Sequence, residues 1–549
     1  MKKCVYVLLI ILITWSIVLR TAPKCRADDG WQLNLDSPAI MCKIVDSTRG
    51  IISTSSSLAG VNLHTGQVDW TIKDWYCKSP QHIGLIPNTH LAVAMKAVTT
   101  QKRNSMSGAV DVFHHNEVSI IDIERGTTVW SKDTLTFLSC VGYSLSPQGN
   151  ALLMCVRDSS KNFWMMSVDI ATGDVIWENR EFFDGRKPKT FLSPGADRTI
   201  DGNQPPVFDT DTTMITIYRK NQLRKWSILT GKMLWESDLN TKGVPYIAKG
   251  ITPIMLSPDR NEIWVPCKKG LQTVSVHDGS VKWSVNAKLP GLVKQIIPLE
   301  KELLIIGGPN NEGKDGRAFI TLLNQDTGER VWEKDFRKLR GLKTSPALLI
   351  GDSVYIYSDK KVFTVALADG SYREVAKDLK FEGGEAPKSF SIRDGNFLLI
   401  SAQNMMMLDP SCQVIYHSYH KAPGTAFFLK ALAFTAQVAL NTVSAMYFSV
   451  PIYSGGGYTW FIYPALNFGL PKYGNSTSAE NHMFVLCKVE ANSGSASQEG
   501  WGMAKINKST GHIDSRLIIG NKNPEYDIAP AGDAIMYLGK DESVIYKQM

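Results

Sequence analysis

The stretch that decides the fold is Ser167-Val168-Asp169-Ile170-Ala171-Thr172-Gly173-Asp174-Val175-Ile176-Trp177. It predicts one tight β-hairpin, in which a strand ends at Asp169, Thr172-Gly173 form the turn, and a second short strand ends at Trp177. Glycine suits such a turn because it adopts a positive φ without a steric penalty.

Copies of this hairpin recur along most of the chain. Six glycines each have a tryptophan four residues later, and a small hydrogen-bonding residue stands four residues before each glycine. The glycines are Gly66, Gly126, Gly173, Gly231, Gly279 and Gly328, and the matching tryptophans are Trp70, Trp130, Trp177, Trp235, Trp283 and Trp332. A spacing of about 50 residues is typical of the four-stranded blades of a β-propeller rather than of helical repeats. Short strands between polar turns, with no long helical period, indicate the same all-β class.

Weaker copies of the hairpin follow the sixth tryptophan. Gly370 and Gly511 retain the turn without the tryptophan, whereas Leu408–Tyr416 retains the shape with tyrosine in its place. When these units and a joint between the chain ends are counted, the hairpins allow up to ten blades.

Each end of the chain body resembles half of a hairpin. Gly30–Leu35 resembles a second strand without its first, and Ser543–Met549 resembles a first strand without its second. Pairing one strand from each end would hide both sheet edges and close the propeller. We expect Trp31 to lie in this joint.

Residues 1–27 have the pattern of a secretory signal peptide. Two lysines precede an apolar run of fifteen uncharged residues, Val5–Leu19, which is short for a membrane span. We expect cleavage after Ala27. Basic residues near that site leave an N-terminal anchor as an alternative, which would associate the protein with a membrane. In either case we expect the propeller, residues 28–549, to be exported and to be periplasmic or attached to the cell envelope.

The formal charge of +8 comes mainly from this N-terminal segment. Its five basic residues are unopposed, and the remaining chain holds 55 basic and 52 acidic side chains. This near balance gives no indication of the clustered basic face that nucleic acids require. We therefore expect no nucleic-acid partner.

Seven cysteines follow the N-terminal segment: Cys42, Cys77, Cys140, Cys155, Cys267, Cys412 and Cys487. Export permits disulfides, but an odd number at wide spacing does not describe a disulfide-stapled scaffold. Cys140 and Cys155 flank a turn and could form a bridge. We favour the interpretation that the cysteines are small buried hydrophobic residues.

Residues 421–475 interrupt the blade rhythm. The segment combines an alanine-rich stretch, whose polar residues have helical spacing, with an aromatic cluster. Three interpretations are open: a helix and loop packed on the ring or in its channel, a docking surface for a partner or the membrane, and a spanning helix. We favour the first. If the segment docks a partner, the candidate surface is Phe434, Tyr458, Trp460 and Tyr463.

The sequence lacks the common catalytic motifs. It has no G-x-S-x-G elbow, no phosphate-binding loop that ends in Lys-Ser/Thr, and no H-E-x-x-H. His417 and His420 could converge on a metal only on a helix or loop, and a solvated loop is the favoured interpretation. We therefore assign no catalytic, cofactor-binding or metal-binding residue and expect no cofactor.

The Asp/Asn-x-x-Thr/Asp-Gly-x-x-x-Trp hairpin resembles the repeat of the pyrroloquinoline-quinone (PQQ)-type, or quinoprotein-like, β-propellers. The resemblance covers most of residues 30–420 and, more faintly, residues 480–549. In that family eight blades are usual, and the tryptophan docks between neighbouring blades, where a large flat ring buries area and places its N–H on a carbonyl. The resemblance thus implies blade-docking roles for Trp70, Trp130, Trp177, Trp235, Trp283 and Trp332.

The same family contains both enzymes and non-enzymatic platforms. Its dehydrogenases bind the quinone and Ca²⁺ and typically carry two adjacent cysteines over the cofactor, whereas this sequence has no Cys-Cys pair. Its non-enzymatic members, such as the outer-membrane assembly lipoprotein of Gram-negative bacteria, use the rim to bind proteins. The resemblance therefore implies a non-enzymatic platform with a protein partner. A PQQ-dependent periplasmic dehydrogenase is the alternative.

Overall fold

The structure is a computed structural model, and its described residues are 30–75, 77, 83–86, 89–103, 110–130, 139–158, 162–182, 206–218, 222–239, 254–267, 270–283, 287–308, 318–335, 346–423, 476–493 and 496–549. The chain divides into two compact units. One comprises Met1–Phe137, Lys488–Lys505 and Ser515–Met549, and the other comprises Leu138–Cys487 and Ile506–Asp514.

Within the described residues the chain forms forty β-strands and a single 3-10 turn, Glu382–Gly384. The first thirteen strands are β1 (Gly30–Leu33), β2 (Ala39–Ile44), β3 (Arg49–Thr54), β4 (Ser57–Asn62), β5 (Val68–Lys73), β6 (Ile83–Leu85), β7 (Leu91–Arg103), β8 (Val110–Asp122), β9 (Thr127–Trp130), β10 (Ser139–Leu145), β11 (Ala151–Arg157), β12 (Phe163–Asp169) and β13 (Val175–Asn179). The next twelve are β14 (Val207–Phe208), β15 (Thr213–Tyr218), β16 (Gln222–Ser227), β17 (Met233–Asp238), β18 (Met255–Leu256), β19 (Glu262–Cys267), β20 (Gly270–Ser275), β21 (Ala287–Lys288), β22 (Leu292–Pro298), β23 (Glu302–Gly308), β24 (Phe319–Asn324) and β25 (Arg330–Asp335). The last fifteen are β26 (Leu348–Ile350), β27 (Ser353–Ser358), β28 (Lys361–Ala366), β29 (Tyr372–Ala376), β30 (Ser389–Arg393), β31 (Asn396–Ile400), β32 (Asn404–Leu408), β33 (Val414–Tyr419), β34 (Ser476–Ser478), β35 (His482–Ser493), β36 (Ala496–Asn507), β37 (Ile513–Ile518), β38 (Tyr526–Ile528), β39 (Ala534–Leu538) and β40 (Val544–Gln548).

These strands form ten four-stranded sheets over the described parts of the chain. Nine sheets follow chain order and are numbered here as blades 1 to 9: β2–β5, β6–β9, β10–β13, β14–β17, β18–β21, β22–β25, β26–β29, β30–β33 and β34–β37. Blade 10 has the order β1-β40-β39-β38. The fold is a β-propeller of four-stranded blades, which confirms the predicted fold class. The ten blades match the upper end of the predicted range rather than the eight that are usual in the family.

The two ends of the body of the chain meet in blade 10. Strand β1 pairs antiparallel with β40, so that Trp31 lies opposite Tyr546. Their rings stack with centroids 5.5 Å apart. The predicted joint between the terminal strands is therefore confirmed.

The strands of a blade differ in how much of their surface is exposed to solvent. The fourth strand of a blade is largely exposed, as in β33, whereas the middle strands are buried, as in β19 and β20. Within the second unit, one apolar cluster joins blades 4 and 5 and contains Ile215 and Val274. Burial of each such side chain contributes about 1.5–3 kcal/mol.

Two predicted segments lie outside the described residues. They are the signal peptide, residues 1–27, and residues 424–475 of the insertion, which include all four candidate partner-surface residues. No helix in the described part of the chain is long and apolar enough to cross a membrane.

All seven cysteines after the N-terminal segment are buried and unbridged. Cys140 lies opposite Val156, and Cys155 lies opposite Gly142, because a bulge shifts the register between these pairs. Burial raises the pKa of the Cys155 thiol well above its ordinary value.

Candidate functional site

The seam between blades 3 and 4 shows how one blade docks on the next. The Trp177 indole Nε1 donates a hydrogen bond to the Ile228 carbonyl oxygen at 2.5 Å. Gly231 follows three residues later with a φ of +67°. A Cβ added to Gly231 would lie 2.5 Å from Trp177 Cε3, so the ring occupies the space that any other side chain would need. The glycine therefore adopts the left-handed backbone of the turn and leaves room for the ring that lies on it.

The same contact recurs at other seams. In each, the indole N–H of one blade donates to the carbonyl three residues before the turn glycine of the adjacent blade. The donor–acceptor pairs are Trp31 with Leu63 (2.7 Å), Trp70 with Ile123 (3.0 Å), Trp235 with Val276 (3.0 Å), Trp283 with Gln325 (2.9 Å) and Trp332 with Leu367 (2.7 Å). These rings lie against Gly66, Gly126, Gly279, Gly328 and Gly370. Trp130, the remaining tryptophan of the motif, is buried.

Two seams of the second unit lack tryptophan. Between blades 8 and 9, the Tyr416 hydroxyl donates to the Lys508 carbonyl oxygen, and its ring lies against Gly511. Between blades 7 and 8, Glu374 stands in the tryptophan position, and Cys412 takes the place of the glycine with a φ of +65°.

The candidate site lies beside that last seam, where a connection from blade 7 meets a turn of blade 8. We call Glu385, Ser401, Gln403, Asn404 and His417 the polar corner of blade 8. The Glu385 Oε2 atom accepts three hydrogen bonds: from Ser401 Oγ at 2.5 Å, from the Gln403 amide at 3.0 Å and from Asn404 Nδ2 at 2.8 Å. Charge-assisted bonds of this kind are stronger than bonds between neutral groups, so Glu385 holds the turn in one arrangement.

Asn404 is the centre of this network. It is fully buried, and its Nδ2 donates to Glu385, which orients the amide. Its Oδ1 accepts the backbone N–H of Glu382 at 2.9 Å and lies 3.0 Å from His417 Nε2. Because Oδ1 can only accept, His417 must carry its proton on Nε2. Burial lowers the pKa of His417, which favours the neutral ring at pH 7.

Gln403 is the member of the corner whose side chain is not satisfied. It is 4% exposed, and neither its Oε1 nor its Nε2 has a hydrogen-bond partner among the described residues. A buried polar atom without a partner costs about 1–3 kcal/mol. The amide therefore offers one donor group and one acceptor to a ligand that reaches it.

Two lysines add positive charge near this corner. The Lys388 amide donates to the Ile400 carbonyl at 2.6 Å, which fixes the lysine immediately before strand β30. Burial lowers the pKa of Lys388, and the Glu385 carboxylate opposes that shift. Lys294 lies in β22 of blade 6, and its pKa is lowered by burial and, to a lesser extent, by the charge of Lys388.

This arrangement can bind a ligand, but its histidine is already engaged. The His417 N–H is committed to Asn404, and the Ser401 hydroxyl donates to Glu385. His420 Nε2 lies 2.8 Å from Ser418 Oγ. No group of three or more metal-ligating side chains occurs in the described residues, which include both histidines.

Sequence reasoning did not find the polar corner. Glu385, Asn404 and Lys388 belong to no repeat, and no motif marks them. The available signals were weak. Lys294 breaks the apolar run of its strand, and the pair Gly383-Gly384 indicates an irregular connection.

Comparison with known proteins relates part of this chain to a protein family. Residues 161–411 match the model of the family described as outer membrane protein assembly factor BamB. The matched stretch contains most of the tryptophan seams described above. This match supports a PQQ-type repeat β-propeller over that stretch.

Three solved structures are among those similar to this chain. BamB from Moraxella catarrhalis is 12% identical with a TM-score of 0.33, and the match covers 71% of this chain and 98% of that one. Dihydro-heme d1 dehydrogenase NirN in complex with DHE is 9% identical, with a TM-score of 0.31 and coverage of 70% and 74%. The WD40 β-propeller domain of Doa1 is 9% identical, with a TM-score of 0.27 and coverage of 63% and 91%. None of the three transfers a function at this similarity, and no curated protein sequence matches the chain.

Proposed function

We propose that this PQQ-type propeller is an exported protein-binding platform that acts in assembly at the cell envelope. The observation that carries the proposal is the match of residues 161–411 to the model of an outer membrane protein assembly factor. The signal-like pattern of residues 1–27 supports export to the periplasm or the envelope.

The seams suit such a role because they hold neighbouring sheets in fixed register. Each ring contact combines a large buried aromatic surface with a hydrogen bond to a carbonyl. Loops that start from rigid sheets lose less conformational freedom on binding than loops on a mobile frame. A platform with fixed seams can therefore present its loops to a partner at a small entropic cost.

Site-specific photocrosslinking in the source cell tests the proposal. A photoreactive residue at Lys380, in the connection before blade 8, probes one end of the blades, and one at Glu329, in a turn of blade 6, probes the other. Both positions are exposed. We expect a discrete adduct with an envelope protein from one of the two positions. A chain that fractionates with the cytosol, or that gives no adduct from any exposed loop, would contradict the proposal.

Mass analysis of the mature protein tests the export step separately. A chain that starts at Asp28 supports a cleaved signal peptide, and a chain that retains Met1 supports an anchor. PQQ with Ca²⁺ provides a control for the alternative enzyme, because a ligand that binds only the folded state raises the melting temperature. We expect no shift at saturating cofactor, and a clear rise would favour the dehydrogenase.

A further inference from the structure

A group of polar side chains lies on one buried face of blade 5. Strands β19 and β20 pair so that Trp264 lies directly opposite Thr273, which places the two side chains on the same face. Glu262 stands two residues before Trp264 in β19 and shares this face, because side chains alternate along a strand. The face is turned toward blade 6, since Trp264 packs in one apolar cluster with Leu303 and Phe319 of that blade.

Three atoms of this group have no hydrogen-bond partner among the described residues. They are Trp264 Nε1, Thr273 Oγ1 and Glu262 Oε2. Trp264 and Thr273 are fully buried, and Glu262 is 8% exposed. The other carboxylate oxygen of Glu262, Oε1, accepts a hydrogen bond from the Lys282 ammonium group at 2.8 Å, which holds the side chain in place. Because buried polar atoms in folded proteins are normally paired with protein or water, three unpaired atoms on one face indicate a bound group between the two blades.

Blade 4 contains a matched tryptophan and threonine that need no bound group. There the Trp226 indole Nε1 donates directly to Thr216 Oγ1 at 3.0 Å, and both side chains are buried. Trp226 lies opposite Met214, so its hydroxyl partner comes from the diagonal position on the neighbouring strand. In blade 5 the threonine is directly opposite the tryptophan instead, and the two side chains form no such bond.

The chemistry of the three atoms decides what they bind. The indole N–H can only donate, the ionised carboxylate can only accept, and the threonine hydroxyl can do both. A cation does not suit the indole N–H, and an anion does not suit the Glu262 carboxylate. The bound group must therefore be neutral, must both donate and accept, and must be small enough to lie between fully buried side chains. Water meets these conditions, and buried waters typically make about three hydrogen bonds to groups of this kind.

We infer that the seam between blades 5 and 6 holds an ordered water molecule bound by Trp264, Thr273 and Glu262. The water oxygen accepts the Trp264 N–H, one water proton is donated to Glu262 Oε2, and the Thr273 hydroxyl makes the third hydrogen bond. The water thereby fixes the Trp264 ring, which packs in the same apolar cluster as Trp283, the tryptophan of this seam. This inference goes beyond the proposed function and does not rest on it.

A crystal structure of the full chain, at a resolution that shows ordered water, tests the site directly. We expect electron density for one water oxygen within about 3.2 Å of Trp264 Nε1, Thr273 Oγ1 and Glu262 Oε2. A direct hydrogen bond from the indole to either of the other side chains would overturn the inference. So would the absence of density between the three atoms, or density for any group other than water.

The Thr273→Val variant tests the same site in solution, because it replaces the hydroxyl with a methyl group of similar size. If water is bound, the variant removes one of its partners, and we expect the midpoint of urea unfolding to fall. If the hydroxyl is unpaired, its removal relieves a buried polar atom. An unchanged or raised midpoint would therefore contradict the inference.

The matched control is Thr216→Val in blade 4, which removes the direct hydrogen bond from the Trp226 indole. Its midpoint should fall whether or not blade 5 binds water, and we expect Thr273→Val to fall by a similar amount. Far-UV circular dichroism follows the unfolding and checks that both variants fold.

Discussion

The seam between blades 3 and 4 and the seam between blades 7 and 8 differ in two linked residues. The first places Trp177 on Gly231, and the second has Glu374 in the tryptophan position and Cys412 in the glycine position. Cys412 retains the left-handed backbone, with a φ of +65° against +67° for Gly231. The turn conformation alone therefore does not demand glycine. Glycine is required where the ring of the preceding blade lies on it, so the two residues are coupled through space.

The seam between blades 7 and 8 is packed in another way. Tyr357 and Phe381 meet edge to face with ring centroids 5.4 Å apart, and both are buried. The Tyr357 hydroxyl donates to the Leu379 carbonyl at 2.9 Å. A buried aromatic with a hydrogen bond to a carbonyl is thus retained, but the ring comes from the second strand of blade 7, β27, and the connection between the blades supplies the carbonyl.

The largest expected difference in stability between the two seams follows substitution at the tryptophan position. Trp177→Ala should lower the free energy of unfolding by about 3–5 kcal/mol, because it empties a buried ring site and leaves the Ile228 carbonyl unpaired. Glu374→Ala removes only an exposed ion pair with Lys361 and should cost under about 1 kcal/mol. Urea unfolding followed by far-UV circular dichroism measures both. Similar losses in the two variants would contradict the assignment of the seam to the indole.

The glycine position gives the next largest contrast. Gly231→Ala should cost about 2–4 kcal/mol, because the new Cβ meets Trp177 and alanine also disfavours a positive φ. Cys412→Gly should change stability by less than about 1 kcal/mol, because relief of backbone strain offsets the loss of a buried thiol. The same urea titrations compare the pair. A neutral Gly231→Ala would show that the ring does not need that space.

The tyrosine seam differs from the tryptophan seams in its pH dependence, because Lys508 is buried there. Burial, with a smaller contribution from Arg393, lowers the pKa of Lys508 to about 8 from 10.5. The unfolded chain therefore binds more protons than the folded chain between these pH values, and stability from this group rises as pH increases from 8 to 10.5. Below pH 8 the penalty is constant at about 3 kcal/mol.

Unfolding free energies at pH 8 and pH 10 measure this slope. Lys508→Met should reduce the rise in stability between the two pH values. Lys301 is an exposed lysine of blade 6, and Lys301→Met should leave the rise as it is in the native chain. An identical slope in both variants would show that Lys508 titrates normally in the folded state.

The smallest expected effect concerns the hydroxyl of Tyr416. Tyr416→Phe keeps the ring on Gly511 and removes the hydrogen bond to the Lys508 carbonyl. We expect a loss of about 1 kcal/mol in urea unfolding, as for other single hydrogen bonds. A loss as large as that of Trp177→Ala would indicate that the ring contact is not the main interaction in this seam.

The sequence predicted the blades because each one repeats a local signal. Gly231 and Trp235 stand in one hairpin, and the same spacing recurs at the other strong copies. The tyrosine of Leu408–Tyr416 was visible as a substitute for tryptophan, because the flanking pattern persists. Local turns and strand alternation are encoded by neighbouring residues, so a single sequence suffices to find them.

Local sequence patterns could not predict the coupling between Trp177 and Gly231 or the polar corner of blade 8. Trp177 contacts Gly231 of the next blade, and the spacing within a hairpin does not reveal this. Glu385 and Asn404 meet because an irregular connection folds onto a turn, and Lys294 is re-aimed by a bulge. Such contacts depend on tertiary packing, which has no period in the sequence.

A double-mutant cycle between Trp177→Ala and Gly231→Ala tests the central claim most directly. The unfolding free energies of the native chain, both single variants and the double variant give the coupling between the two positions. We predict that Gly231→Ala costs at least about 1 kcal/mol less when Trp177 is already alanine, because the ring that blocks the new Cβ is gone. An equal cost of Gly231→Ala in both backgrounds would contradict the coupling of glycine and indole across the seam.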